Sequence, residues 1–573
     1  MARKINYDDW SKEELIKELR HIKETKYGLV WHRDLPQEKI DTLINPDART
    51  PSEMFPNEMA GRPFPILKET QNKELNGDKD KPINLLIEGD NYHTLAVLNF
   101  THQEAIDLIY IDPPYNTGND DFIYSDKIKS DYVLSDDPFR HSKWLAFMEK
   151  RLKLAKKLLK STGVIFISID DNEIAQLKML CDEIFEENNF INIICLKSGR
   201  DEGVKMAHKD KRLVKYKEYI LVYAKDKQKV RFTPQYKEKE EWDDRYNSWL
   251  DNHTSPNDCS KWEMYSLSNK IKEVGLDIAD EHEILQWKIK NRDNIVRLAA
   301  NSSLAIKGTK GKKYIIKLKT PRGLDVFAFN GQKILFASNK VKNIDGGDKL
   351  GEYIGDLWDD ISYNNLHNEG GVDLPNGKKP IALIKRIIKL TSGPDAIILD
   401  FFAGSGTTGH AVIELNKDDS GNRRFILGTN DENGICTNIC YQRMKNINKE
   451  LGLNLKYYTT NFVEAEPTDR NKRKLVSEST EMLCIRENTF ELVQDKTDFK
   501  IFKNKDKYLG IIFYEDAIND FKKAIKKIDG IFNTYVFSLG DDPHEKQFAD
   551  VKSKVTLCAI PEVILKVYRE IFK

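Results

Sequence analysis

The chain has 573 residues, about four times a 150-residue folding unit, so two to four domains and a large buried core are expected. Hydrophobic residues make up 40% and charged residues 32%, with mean hydropathy −0.58. That composition excludes a disordered or fibrous chain, and no run approaches the roughly 18 apolar residues of a bilayer span. Lys plus Arg and Asp plus Glu both number 91, so a nucleic-acid surface must be a local patch and not a uniform basic coat.

The start, Met1 to Trp10, carries no apolar signal segment, and a cytoplasmic protein is expected. The seven cysteines form no C-x-x-C pair, so neither a disulfide framework nor a zinc site is signalled. Cys436 and Cys440, four residues apart, read as buried thiols, and no metal is expected.

In chain order, residues 1–80 read as a helical N-terminal extension, with a helix over Lys12 to Lys26 and then a loop-rich stretch holding Pro36, Pro46, Pro51, Pro56, Pro63 and Pro65. From Leu85 short apolar runs alternate with amphipathic helices. Strands are predicted at Leu85–Ile87, Ile106–Ile111, Gly163–Ile169, Phe190–Leu196 and Glu218–Ala224, with helices about Ser142–Lys160 and Asn172–Glu186. The alternation stops near Arg231. It resumes with helix Ile381–Leu390, strand Ala396–Leu399, helix Thr408–Asn416, strand Arg424–Thr429 and helix Thr437–Lys449. Such alternation predicts a parallel sheet with helices on its faces. One α/β domain (81–235 and 366–455) is interrupted by a module at 236–365, and a small α+β domain follows at 456–573.

Two turns in this pattern carry chemistry. The first is Asp112-Pro113-Pro114-Tyr115, directly after a predicted strand. Successive prolines lack N–H groups and stiffen the backbone, so the Asp112 carboxylate and the Pro113 carbonyl form a cluster of acceptors. An exocyclic amino group has two hydrogens to give, and Tyr115 offers a face on which a planar ring can stack, a contact worth about 1–3 kcal/mol per base. The second is Asp400-Phe-Phe-Ala-Gly404-Ser-Gly406-Thr-Thr-Gly409, again after a strand and opening a helix. Gly404-x-Gly406-x-x-Gly409 alone matches a dinucleotide fingerprint, with Asp431 or Glu432 placed for a ribose. The carboxylate of Asp400 suits an ammonium group and would repel a pyrophosphate, which favours a methionine-like cofactor over NAD.

A cofactor with an ammonium and a ribose, beside a clamp for an aromatic amine, makes a methyl-transfer site. The two turns resemble the S-adenosylmethionine-dependent DNA amino-methyltransferases in the β arrangement, a circularly permuted motif order in which the D-P-P-Y turn precedes the glycine turn. The resemblance is closer to the modification subunit of type III restriction-modification systems. It extends to Phe139-Arg-His-Ser-Lys-Trp144, Gly163–Asp171, Lys379-Pro380 and Asp400–Ala411. This resemblance implies a Rossmann-like methyltransferase sheet with an inserted target-recognition domain at 236–365 and a dimerisation or partner domain at 456–573. It implies that Asp112, Pro113, Pro114 and Tyr115 form the catalytic turn and that S-adenosyl-L-methionine is the cofactor. The cofactor would lie on Asp400, Phe402, Ala403, Gly404, Ser405, Gly406 and Thr407, with Asp90 on the same side and Lys379 and Pro380 bordering the methionine moiety. Many relatives have an acid after the strand Arg424–Thr429; this chain has Asn430, then Asp431 and Glu432, and the ribose ligand is open among them. Aspartate at 112 resembles the adenine-N6 enzymes. Duplex DNA, a second copy of the chain and a restriction (helicase-nuclease) subunit are the implied partners.

Two basic stretches complete the sequence. Lys197–Phe232 holds twelve Lys/Arg against five Asp/Glu, an excess of 12 − 5 = 7. Lys307–Arg322 holds seven cations (Lys307, Lys310, Lys312, Lys313, Lys317, Lys319, Arg322) and no acid. Mixed with Tyr314-Ile-Ile316, it reads as a strand along phosphates. The alternatives are cytosine-N4 or RNA amino-methylation at the same site, an NAD-dependent dehydrogenase that leaves Asp112–Tyr115 without a role, and a DNA-binding subunit without catalysis.

Overall fold

The computed structural model describes residues 11–16 except 14, 63–118, 139–198 and 213–571, apart from 79, 252–257, 278, 345, 365, 367–368, 375–376, 465–467 and 541. Most of the helix expected from Lys12 and of its proline-rich sequel lies outside these residues, as do Arg200, Lys205, Lys209, Lys211 and Arg212 of the first basic stretch. The chain divides into two compact units, one formed by residues 1–233 and 356–573 and the other by 234–355.

The first unit is built on a ten-stranded sheet. In chain order its elements are β1 (Phe64–Glu69), β2 (Ile83–Glu88), α1 (Asn91–Thr101), β3 (Ile106–Ile111), α2 (Arg140–Leu158), β4 (Leu159–Ile169), α3 (Ile174–Phe185), β5 (Phe190–Lys197) and β6 (Lys217–Ala224). After the second unit come β7 (Leu357–Trp358), α4 (Ile381–Thr391), β8 (Ile397–Asp400), α5 (Thr407–Asp419), β9 (Arg424–Thr429), α6 (Tyr441–Leu451) and β10 (Asn454–Val463). The strand order is β1-β10-β2-β9-β8-β3-β4-β6-β5-β7. From β10 through β4 every pair is parallel, while β6 runs antiparallel between β4 and β5. Ile106–Ile111 and Phe425–Thr429 are almost wholly apolar because both faces of a parallel sheet are covered by helices. The neighbours β3 and β8 lead through their helices to opposite ends of the sheet, so the crevice for a ligand opens at their carboxyl ends.

Three boundaries differ from expectation. The first edge strand, β1, lies inside the stretch expected to be an extension, pairing antiparallel with β10 from Phe64↔Val463 to Glu69↔Tyr458. Pro65 is tolerated there because an edge strand can leave one side without donors. The sheet also runs past 455, through Val463. Finally, the C-terminal segment, with its five-stranded sheet over 491–560, is not a separate body. Leu475, Met482, Leu483, Ile564 and Tyr568 share one core with Leu95, Leu98 and Ile109. Tyr568 stacks on Phe64 at 5.3 Å and donates to the Pro65 carbonyl. Helix α1 explains this: residues Tyr92–Thr101 are all buried, since the sheet covers one side and the C-terminal helices the other.

The second unit is antiparallel β structure with short helices. A six-stranded sheet runs in the order 316–319, 325–329, 332–336, 295–299, 248–251, 263–266, and a three-stranded sheet joins 341–344, 347–353 and 236–238. Trp249, stacked on Trp287 at 5.4 Å, centres one of its cores.

Candidate active site

Strand β3 delivers Asp112 to the crevice, and the next residues are locked by partners from α2 and the loop before α3. The indole of Trp144, fully buried, donates to the Pro114 carbonyl at 2.8 Å. Asn116 adopts the left-handed conformation (φ 54°), tolerable for asparagine, and donates to Glu173 Oε1 at 2.6 Å and to the Arg140 carbonyl at 3.3 Å. Burial pushes the Glu173 carboxyl up to about 8, against the pull of the Asn116 hydrogen bond. The turn is therefore fixed on both sides of Tyr115.

The polar tip of the turn meets Lys379, from the segment before α4, and Glu218, from β6. Lys379 Nζ lies 3.2 Å from Asp112 Oδ1 and 3.1 Å from Glu218 Oε2, and it donates to the Tyr115 hydroxyl at 2.8 Å. Tyr115 in turn donates to Glu218 at 3.2 Å. The approach to Asp112 is close enough for an ion pair, yet its angle leaves Asp112 Oδ1 without a hydrogen bond among the described residues. Burial drives the Asp112 carboxyl up and Lys379 only partly offsets it, whereas Glu218, likewise half-buried, is held below its usual value, against that burial, by the same ammonium. Burial opposes the Lys379 charge, but Asp112 and Glu218 together keep its pKa above the ordinary lysine value. The resemblance put Lys379 in a segment bordering the methionine moiety; its ammonium stands at the D-P-P-Y turn. Only Pro380, which caps α4, stays with the backbone of that segment.

The glycine turn follows β8, whose Ile398 and Leu399 pair with Leu108 and Ile109 of β3, so Asp400 and Asp112 share one end of the sheet. Asp400 Oδ1 accepts from the Phe402 N–H at 3.0 Å and Oδ2 from the Thr408 hydroxyl at 2.6 Å. Burial pushes its carboxyl up to about 7, and the charge of Asp112 adds to this. Gly404 and Gly406 are both left-handed, with φ of 50° and 77°. They are glycine for different reasons. A Cβ on Gly406 would come within 2.9 Å of Cys440 Sγ and 3.1 Å of Met444, whereas one on Gly404 would meet only the Phe402 carbonyl, at 3.9 Å, and otherwise enter open space. That open cradle beside the helix N-terminus of α5 suits a ligand lying against the backbone.

The remaining expected cofactor residues surround this turn. Ala403, Ser405 and Thr407 are buried in it. Asp90 precedes α1, accepts from the Tyr92 N–H at 2.8 Å and pairs with Arg151 at 3.1 Å. Arg151 covers Phe147 at 3.6 Å, and Phe147 lies 6.0 Å from Phe402, which links Asp90 to the turn. Asn430 is exposed at the end of β9, while Asp431 is engaged by the Thr437 N–H and hydroxyl at 2.8 and 3.0 Å.

Neither the motifs nor the resemblance pointed to Arg443. Fully buried on α6, it donates to Thr407 at 2.8 Å and Ser405 at 3.2 Å, and to Glu369 at 3.3 Å. It thus ties the back of the glycine turn to the segment that carries Lys379. Its spacing after Cys436 and Cys440 on a buried face was the only sequence signal. Replacing Arg443 with methionine is expected to destabilise the fold by about 3 kcal/mol, because Glu369 and two hydroxyls lose their partner. Lysine should not restore it, since one point charge cannot reproduce the fork. Urea unfolding of the three proteins checks this; a loss under about 1 kcal/mol would contradict it.

All seven cations of the Lys307–Arg322 run are exposed. The run is not one strand as expected: Leu304–Lys307 is a helical turn, and only Ile316–Lys319 is a strand, at the edge of the six-stranded sheet. The edge position explains the composition, because Lys317 and Lys319 project to one side without a neighbouring strand to repel, and Lys317 pairs with Asp325 at 2.8 Å.

The model of the family N6_N4_Mtase, DNA methylase, matches residues 106–449, and the chain belongs to that family. It is 34% identical over 376 residues to the probable type III restriction-modification enzyme HindVI Mod subunit of Haemophilus influenzae, covering 58% of this chain and 47% of that one. It is 34% identical over 413 residues to the type III enzyme StyLTI Mod subunit of Salmonella typhimurium (64% and 56%). With the type II methyltransferase M.KpnI of Klebsiella pneumoniae it shares 32% identity over 392 residues, covering 65% of this chain and 87% of that one. The chain spans about half the length of the first two relatives. The ten-stranded sheet is thus a Rossmann-like methyltransferase sheet in permuted motif order, and the dehydrogenase alternative falls. No described helix is long and apolar enough to cross a membrane.

Proposed function

We propose that this protein methylates the exocyclic N6 of adenine in duplex DNA, as the modification subunit of a type III restriction-modification system. The observation that carries the reading is the placement of the Asp112–Tyr115 turn and the Asp400–Gly406 turn on the adjacent parallel strands β3 and β8. S-adenosyl-L-methionine, when bound, supplies an electrophilic methyl group. Gly404 leaves the space for it and Asp400 offers a carboxylate to its ammonium, with Asp90, Phe402 and Asn430 as the further residues assigned to it. Asp112 and the Pro113 carbonyl accept hydrogen bonds from the amino group and favour the more pyramidal nitrogen of the transition state. Tyr115 gives the base, once out of the duplex, a ring to stack on, which offsets part of the few kcal/mol that extrusion costs. The relatives favour this reading through their names: two are type III Mod subunits and one a type II methyltransferase.

On this reading the second unit, residues 234–355 where the sequence suggested 236–365, recognises the target sequence, and the chain works as a homodimer with a helicase-nuclease partner. Sequencing DNA from cells that express the protein is the decisive test, with N6-methyladenine in one fixed context as the expected result. N4-methylcytosine, or methylated RNA with unmodified DNA, would overturn the choice of base or of nucleic acid.

The exposed basic run makes a separate prediction. Lysines on phosphates position a duplex without choosing among sequences. Changing Lys310, Lys312 and Lys313 together to alanine should weaken binding equally for cognate and random duplexes and lower the salt slope by up to roughly 0.9 per lost contact. Fluorescence anisotropy over a salt series measures both. A loss confined to the cognate duplex would instead make these residues readers of sequence.

A further inference from the structure

Among the residues around the crevice, Lys379 has the least expected position. Its side chain is 10% exposed and its ammonium stands among Asp112, Glu218 and the Tyr115 hydroxyl. The other titratable groups facing Asp112 are Tyr110, Tyr363 and Asp400. Lys379 is thus the one cation of this set, against three carboxylates and three phenols. Two consequences follow from elementary chemistry. An ionised carboxylate accepts on both oxygens, whereas a protonated one turns one oxygen into a donor and cannot hold an amine there. Burial and like charge both favour the protonated form of Asp112, and a nearby cation favours the ionised one. The ammonium also stands within ion-pair reach of Asp112 Oδ1, at 3.2 Å, while that oxygen's hydrogen-bonding capacity stays open to an incoming amino group.

We propose that Lys379 is a positioning residue of the amine clamp: from ion-pair distance it keeps Asp112 ionised in the free protein, and it withdraws toward Glu218 when a base enters and takes the open carboxylate oxygen. Glu218, 3.1 Å away, retains the ammonium during that exchange. The inference rests on the reading of Asp112 as the amine acceptor.

The test uses the full chain in four forms: wild type, Lys379→Met, Lys379→Gln in case the first fails to fold, and Lys379→Arg. Two quantities are measured against pH. One is the single-turnover rate of methylation on duplex DNA. The other is the titration of the Asp112 carboxyl, read without DNA or cofactor as the infrared difference from the matching Asp112→Asn protein. Loss of the charge should move the acid limb of the rate, and the carboxyl titration with it, up by about one pH unit or more. The rate should then fall about tenfold on the acid side and recover at high pH, and arginine should return both curves to the wild-type position. A rate lowered by one factor at every pH, with an unmoved titration, would reduce Lys379 to a packing role and overturn the proposal. If the wild type fails to methylate DNA, the functional reading fails, and the infrared titration alone judges the link between Lys379 and Asp112: a shift sustains it and no shift overturns it.

Discussion

Alanine at position 112 is expected to lower the single-turnover rate of methylation at least a hundredfold while leaving cofactor affinity within a few fold of wild type. On the proposed reading Asp112 contributes an acceptor aimed at an amine whose positive character grows in the transition state, and removing one preorganised group of this kind costs about 2.7–4 kcal/mol. The fold should survive the change. Lys379 keeps Glu218 at 3.1 Å, so no buried charge is stranded, and the neighbouring backbone stays pinned by Trp144 and by Asn116 on Glu173. Rapid-quench kinetics, isothermal calorimetry and urea unfolding together separate these effects. A variant that keeps more than about a tenth of the rate would show less than roughly 1.4 kcal/mol of transition-state stabilisation, and the role assigned to Asp112 would be wrong.

The second large effect concerns the cofactor cradle. Gly404→Val should abolish measurable S-adenosylmethionine binding, because the left-handed φ of 50° strains any branched residue and the new side chain would project into the open space. A companion effect should appear in pH. The Asp400 carboxyl, raised by burial to about 7, is half protonated near neutrality, yet only its ionised form can pair with an ammonium. Binding must then release a proton below pH 7 and none well above it, so affinity should weaken by up to tenfold per pH unit on the acid side. Calorimetry at several pH values, in buffers of different ionisation enthalpy, reads both the affinity and the proton. Asp400→Asn should bind weakly with a flat profile. A wild-type affinity that is itself flat across neutrality would show that Asp400 only closes the turn, through Phe402 and Thr408.

The elements that the sequence determined by itself are those whose cause is local. Ile106–Ile111 and Arg424–Thr429 are apolar runs bounded by turn residues, and both strands have the predicted limits. The D-P-P-Y and glycine turns likewise follow from backbone chemistry within ten residues, since proline removes donors and glycine admits positive φ. What only the tertiary structure decided depends on partners far along the chain. Pro63 and Pro65 read as loop, but β1 exists because β10, some four hundred residues later, offers a free edge. The change of composition near 456 suggested a separate domain, and nothing in it could reveal that Met482 and Tyr568 would complete the burial of α1. Lys379 followed the cofactor in the resemblance, yet Glu218 on β6 and Asp112 just after β3 draw its ammonium to the D-P-P-Y turn. Arg443 showed no motif at all, because its meaning lies in the two hydroxyls and the carboxylate gathered around it by two distant segments. Backbone preference acts over a few residues and is written in order along the chain, whereas burial and charge pairing act across space and arise only when the sheet has closed.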